Sequence, residues 1–346
     1  MEGRPHLLGQ TQVTLETWAR EQGARAGAAR VVAQALLAEA TGRTRKAGAE
    51  RPARALVEKA AAWFARDLPE AEAVPDPDGT VRFAVRLDDG ALVETVLIRQ
   101  DGRDTVCVSS QVGCRRGCVF CETGRLGLKR NLAAAEIVAQ FALVVRFQRA
   151  RGEEPPGNVV YMGMGEPLDN LESVIASLAV LTDRAGFAVA ERRITISTVG
   201  IVPEMDALFS RTKVNLAVSL HALQPAVRRA LLPVAHKWGL DVLRGAIARA
   251  PRTVLLQWTL IEGQNDSDED ADLLARFCEG LDVRVNLIPL NPGPIASQKA
   301  PPLERCRAFQ KRLLDAGLRA MLRLPHGQTI GGACGQLAGA RRADKL

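Results

Sequence analysis

No stretch of the 346-residue sequence reaches the ~18 uninterrupted apolar residues that a membrane-spanning helix requires, which excludes that architecture. The first residues, Met-Glu-Gly-Arg-Pro-His, lack the charged-then-apolar layout of a secretory signal. Nothing repeats at a fixed period, so a solenoid is not expected. Aromatics are few, with 9 Phe, 4 Trp and 1 Tyr, yet 47% of residues are hydrophobic and 25% charged. That is a globular balance rather than a disordered one, and the length allows one large domain or two. Neither sign of charge dominates. Lys plus Arg number 46 against 39 Asp plus Glu, a net +7 that suits a phosphate-rich partner. The 7 cysteines are an odd number in a chain without an export signal, which argues against a disulfide framework. Four of them, Cys107, Cys114, Cys118 and Cys121, crowd into one short segment.

The chain is punctuated into three parts. Residues 1–72 read as a helical accessory domain, with helices at 14–21 and 28–40 and a stripe of Leu56, Ala60, Trp63 and Phe64 behind Pro52. The Lys- and Arg-rich stretch 42–54 reads as an exposed linker, with an RNA-facing patch as the alternative. Over residues 73–104 the period changes to two. Strands at 81–87 and 92–98 flank Asp89-Gly90, a hairpin signal. Glu94 shares a strand face with Leu92, Val96 and Ile98, so a carboxylate stands among apolar neighbours; a strand-edge residue reaching water is the plain reading.

Residues 105–346 alternate strand and helix. Strands are expected at 105–109, 158–162, 193–197, 213–219, 253–260 and 284–289, with helices at 133–146, 171–181, 241–250, 268–280 and 303–316 and a last strand near 318–324. Six βα units in series imply an α/β fold with a parallel sheet, barrel-like or doubly wound. Sites in such folds lie at the carboxyl ends of the strands. The unusual residues fall there: Cys114–Cys121, Gly163–Pro167, Ser197–Gly200, Ser219–His221 and Asn291.

Cys114-Arg-Arg-Gly-Cys118-Val-Phe-Cys121 follows the first of these strands. Two thiolates three residues apart chelate metal readily, and a third four residues earlier completes a three-sulfur cradle. Structural zinc normally takes a fourth Cys or His close by, and none lies close in sequence. Three thiolates on a four-iron cluster leave one iron open. The C-x3-C-x2-C spacing, with an aromatic before its last cysteine, resembles the radical S-adenosylmethionine (SAM) superfamily.

Further phrases narrow the resemblance: Cys107-Val-Ser-Ser-Gln-Val-Gly-Cys114, Gly163-Met-Gly-Glu-Pro167, Ile196-Ser-Thr-Val-Gly200, Ser219-Leu-His-Ala222, Leu287-Ile-Pro-Leu-Asn-Pro292 and Ala333-Cys-Gly-Gln-Leu337. In this order they resemble the RlmN/Cfr family of radical SAM RNA methyltransferases from Phe83 to Leu337. The resemblance implies a partial (β/α)6 radical SAM barrel. It implies a [4Fe–4S] cluster on Cys114, Cys118 and Cys121, and S-adenosyl-L-methionine held by Gly165, Glu166, Ser197, Ser219, Leu220, His221 and Asn291. Cys334 would be the cysteine that becomes methylated, Cys107 its partner in a transient disulfide, and Glu94 the proton acceptor.

The implied chemistry accounts for the residue types. A ring carbon of adenine is a poor nucleophile, whereas a thiolate accepts a methyl by ordinary displacement. A second SAM, cleaved by one electron, would then activate that methyl for addition to the ring, and attack by Cys107 would free the product. Cys278 and Cys306 fall in helical stretches and read as small buried hydrophobes; Ser109 and Ser110 read as structural. The chain departs from the family's pattern just before Cys334. It has Pro325-His326-Gly327 where Arg-Gly is usual, and Gln328-Thr-Ile-Gly-Gly-Ala333 where an acidic residue and Ile-x-Ala-Ala are usual.

The expectation is methylation of adenine carbon 2 in 23S rRNA, with tRNA as a further substrate, by a cytoplasmic monomer served by a flavodoxin-type reductant. Carbon-8 methylation in the Cfr manner is the alternative, and a non-catalytic RNA-binding protein with a structural metal site is the second.

Overall fold

The structure is a computed structural model that describes residues 4–25, 27–42, 53–100, 102–233 and 237–338. Most of the basic stretch 42–54, Pro52 included, lies outside the described residues.

The N-terminal part holds helices α1 (Gln12–Glu21), α2 (Ala28–Ala40) and α3 (Arg54–Trp63). Thr11 opens α1 with a reciprocal pair: its Oγ1 accepts from Thr14 N–H, and its own N–H donates to Thr14 Oγ1 at 2.9 Å. Leu15, Trp18, Val32, Leu36, Leu56, Ala60 and Phe64 bury one another in a small core of their own. The expected stripe fails at Trp63, which is 54% exposed. Helix α3 ends there, and Phe64, already extended, turns its ring edge-on to Trp18 at 5.2 Å.

A ten-stranded sheet forms the rest. Three antiparallel strands stand at one side: β1 (Glu70–Pro75), β2 (Val81–Arg86) and β3 (Leu92–Gln100). Strand β3 pairs antiparallel with β4 (Arg103–Cys107), from which the parallel run begins. Strand β1 was not among the expected elements. It carries almost no buried residue, so it lacks the apolar alternation that marks a half-buried strand.

After β4 the chain makes a two-stranded ribbon, β5 (Gln111–Cys114) and β6 (Gly127–Asn131), around the one-turn helix α4 (Glu122–Arg125). It then alternates through α5 (Ala134–Arg149), β7 (Asn158–Tyr161), α6 (Leu171–Thr182), β8 (Ile194–Thr198), α7 (Val202–Arg211), β9 (Asn215–Ser219), α8 (Pro225–Leu231), α9 (Leu240–Ala248), β10 (Val254–Leu260), α10 (Asp268–Cys278), β11 (Val283–Pro289), α11 (Leu303–Asp315) and β12 (Ala320–Leu322). Strands β4 and β7 to β12 are parallel neighbours in that order. This is the expected partial barrel of six βα units and a last strand.

The parallel strands are near-continuous apolar runs, as strands covered on both faces must be. Val254, Leu256, Trp258 and Leu260 of β10 and Val285 and Leu287 of β11 are at most 1% exposed. Cys278 and Cys306 are buried in this core. Among the described residues no helix is long and apolar enough to cross a membrane.

Candidate active site

The site is assembled at the carboxyl ends of the parallel strands. Cys114 ends β5, and Cys118 and Cys121 follow in a turn closed by Cys121 N–H donating to Cys118 O at 3.1 Å. None of the three is in a disulfide, and all line one cleft. Burial pushes their pKa values up, to about 12 for Cys114. Three soft donors lining one cleft suit iron–sulfur ligation.

The loop after β7 lines the same cleft. Gly163 lies so near β4 that a Cβ would sit 2.7 Å from Val108 O. Gly165 adopts φ +107, and a Cβ there would sit 2.7 Å from Gln111 Cβ; only glycine fits both demands. The turn delivers Glu166, whose backbone N–H donates to Gln111 Oε1 at 2.8 Å. Its carboxylate accepts from Leu168 N–H at 3.1 Å and Val199 N–H at 2.9 Å. Burial raises its pKa to about 7 against the lowering effect of those donors.

Ser197, next to last in β8, and Ser219, the last residue of β9, line the same cleft. Between them Gln257, on β10, accepts from Ser197 Oγ at 3.1 Å and Ser219 Oγ at 3.5 Å. Gln257 is not among the sequence candidates; its signal is a buried amide inside Val-Leu-Leu-Gln-Trp-Thr-Leu. His221 follows in the left-handed region, φ +58. Its Nδ1 accepts from Thr259 N–H at 2.9 Å, so the ring proton sits on Nε2. Burial, then the charge of Arg228, lowers its pKa to about 3, so the ring is neutral. Leu220 does not line the cleft. Its side chain is in the core, its N–H donates to Gln257 O and its carbonyl accepts from Arg228.

Cys334 lies on the loop after β12 and is exposed on the cleft wall. Asn291 does more than line that wall: its Nδ2 donates to Cys334 O at 2.9 Å while its Oδ1 accepts from Gln328 at 2.7 Å. Glu122 N–H donates to Gly335 O at 2.8 Å, which joins this loop to the cysteine turn. Cys107 does not reach the main cleft. It lines a smaller cavity behind the loop, and Cys334 borders both spaces. Burial, with the neighbouring Cys334, pushes the Cys107 thiol up to about 12.

Glu94 is not a water-reaching edge residue. Strand β3 has partners on both sides, and Glu94 is 1% exposed. It lines neither cavity. Its carboxylate pairs with Arg82 at 2.5 Å and accepts from Ala338 N–H at 2.6 Å. Ser109 is structural, as expected: it donates to Glu94 O at 2.5 Å and accepts from Met164 N–H at 2.8 Å.

This arrangement has close relatives. Residues 108–275 match the radical SAM superfamily. A probable RNA methyltransferase of Sorangium cellulosum is 43% identical, covering 98% of this chain and 89% of its own length. The dual-specificity RNA methyltransferase RlmN of Desulfotalea psychrophila is 43% identical over 75% of each chain. A radical SAM methyltransferase from Sphaerobacter thermophilus, known from its crystal structure, superimposes with a TM-score of 0.86 at 37% identity, covering 96% of this chain and 99% of that one. The chain belongs to the RlmN/Cfr family, with the RlmN-type members. It is a radical SAM RNA methyltransferase whose cofactors are a [4Fe–4S] cluster and S-adenosyl-L-methionine. The three cysteines, with Gly165 and Glu166 lining the same cleft, fit both groups.

Proposed function

We propose that the chain methylates carbon 2 of an adenine in 23S rRNA, and in tRNA as well, through a methyl group carried on Cys334. The observation that carries this reading is the position of Cys334. It borders the cleft of Cys114, Cys118 and Cys121 on one side and the cavity of Cys107 on the other. A single sulfur can then serve both halves of the transfer. Carbon 2 rather than carbon 8 follows from the RlmN-type resemblance, and relatives named dual-specificity RNA methyltransferases support more than one RNA.

Cys114, Cys118 and Cys121 hold the cluster, and the cleft residues Gly165, Glu166, Ser197, Ser219, His221 and Asn291 surround S-adenosyl-L-methionine. When bound, these groups supply methyl to Cys334 and the one-electron chemistry that activates it for a ring carbon. Exposure of Cys334 lets its sulfur take methyl by displacement. Glu94 accepts the proton that leaves the ring. Cys107, held as a thiol by burial until then, gives up its proton and attacks the Cys334 sulfur last, as the thiolate. An S–S bond forms, the S–C bond breaks, and its electron pair stays with the product carbon, which is then protonated. A flavodoxin-type donor provides the electrons, and the protein works as a cytoplasmic monomer.

The test is mass analysis of the Cys334 peptide from cluster-loaded protein given S-adenosyl-L-methionine. One added methyl is expected, and an unmodified Cys334 would sink the proposal. Cys107→Ala should leave RNA covalently attached to Cys334; ordinary turnover by that variant removes its assigned role. Nucleosides from digested RNA should include 2-methyladenosine rather than 8-methyladenosine.

A further inference from the structure

In the β2–β3 register Arg82 stands opposite Val96, and in the β3–β4 register Val96 stands opposite Cys107. Opposed residues share a face, as do residues two apart on one strand. Arg82, Glu94 and Cys107 therefore project from the same side of the sheet, and the Cys334 loop covers it. Arg82 is 5% exposed and Glu94 1%, and the two are paired at 2.5 Å. Each also holds the loop. Arg82 Nε donates to Ile330 O at 2.8 Å, and Glu94 Oε2 accepts from Ala338 N–H at 2.6 Å. Ile330 and Ala338 lie equally far in sequence on the two sides of Cys334. The turn between β1 and β2 extends the hold upstream: Asp78 accepts from Gly327 N–H at 2.9 Å, and Asp76 accepts from Thr329 Oγ1.

We propose that Arg82 is a positioning residue for methyl transfer: with Glu94 it clasps both flanks of the Cys334 loop, and this clasp opens when Glu94 meets the substrate. A guanidinium presents several donors in a fixed fork, so it can hold a carboxylate and a carbonyl at once. Both carboxylate oxygens of Glu94 are engaged and neither cavity reaches it. A proton acceptor needs an oxygen within hydrogen-bond reach of the proton it takes. The Arg82 contact lies within the sheet, whereas the Ala338 contact is to the loop, so the loop contact is the one released. Proton uptake then cancels the charge that Arg82 faces and weakens the clasp further, which frees the loop as the product leaves. The opening step rests on the reading in which Glu94 accepts the substrate proton; the clasp does not.

The experiment compares wild type, Arg82→Lys and Arg82→Gln as cluster-loaded full-length protein. It measures amide hydrogen exchange and steady-state RNA methylation. Losing a hydrogen bond to a charged group is expected to speed exchange of residues 331–338 roughly 10- to 100-fold. Strands β10 and β11 should stay as protected as in wild type. Arg82→Lys, which keeps the charge beside Glu94 but not the fork, should fall between. It carries the test if Arg82→Gln does not fold. Turnover should fall at least about tenfold, with a smaller change in KM for RNA. Three outcomes overturn the clasp: loop exchange in Arg82→Lys equal to wild type, exchange speeded uniformly through the barrel, or a loosened loop with unchanged turnover. Exchange needs no RNA, so a wild type that fails to methylate RNA counts against the proposed function while the loop comparison still decides the clasp.

Discussion

His221 illustrates how much one side chain in this site is constrained. Its ring is buried, neutral and bonded through Nδ1 to Thr259 N–H. The folded-state pKa is lowered to about 3, whereas an unfolded chain takes up the proton near its ordinary ~6.5. In that window the unfolded state binds more protons, so stability is full above it and falls as pH drops, by ~1.4 kcal/mol per pH unit at most. His221→Asn keeps an acceptor near the Nδ1 position and tolerates the left-handed backbone. Urea unfolding at pH 7 and pH 5 should show wild type losing about 2 kcal/mol more than the variant; equal losses would mean the ring is protonated in the fold. At this scale the cysteine triplet was legible because its spacing is local. Gln257 and Arg82 were not, because their partners are remote: Arg82 and Ile330 are 248 residues apart. For Leu220 the resemblance implies a place in holding S-adenosyl-L-methionine; its side chain lies in the core and its backbone groups bond to Gln257 and Arg228. Glu94 was read correctly as a carboxylate among apolar neighbours. Its burial depended on β4 and the Cys334 loop, which a strand pattern does not reveal.

The elements divide in the same way. Strands β2 and β3, the βα series and the long helices follow from hydrophobic period, because each buries one face or all of its surface. Strand β1 buries nearly nothing, so only its pairing with β2 defines it. The β5–β6 ribbon is invisible for another reason: its sequence is dominated by the demands of the cysteine turn. The loop after β7 tests how far an element is fixed by one residue. Gly165→Ala forces a Cβ against Gln111 at φ +107, which should cost on the order of 1–3 kcal/mol. It should also pull Glu166 away from Gln111 Oε1. Denaturant unfolding and equilibrium dialysis with S-adenosyl-L-methionine should both register the change. An unaltered midpoint with unaltered binding would show that the turn relaxes freely.

The described residues form two cores, a small one among α1 to α3 and a large one about the sheet. Trp18 packs edge-on to Phe64 in the small core. Trp18→Ala should loosen that core by about 3–5 kcal/mol. Hydrogen exchange should then accelerate in α1, α2 and α3 while β10 and β11 keep their protection; equal acceleration everywhere would make the two cores one cooperative unit. The sheet itself begins with β1 and ends with β12, and the Cys334 loop runs from that last strand back to β2 and β3. Its two clasp bonds span 248 and 244 residues. A chain growing from the ribosome therefore completes Cys114, Cys118, Cys121 and most of its strands long before Cys334 can be seated. Under the proposed mechanism, assembly order would act as a safeguard: an unfinished chain would have its three cleft cysteines but no Cys334 to take methyl, and the reactive parts would meet only in a finished molecule.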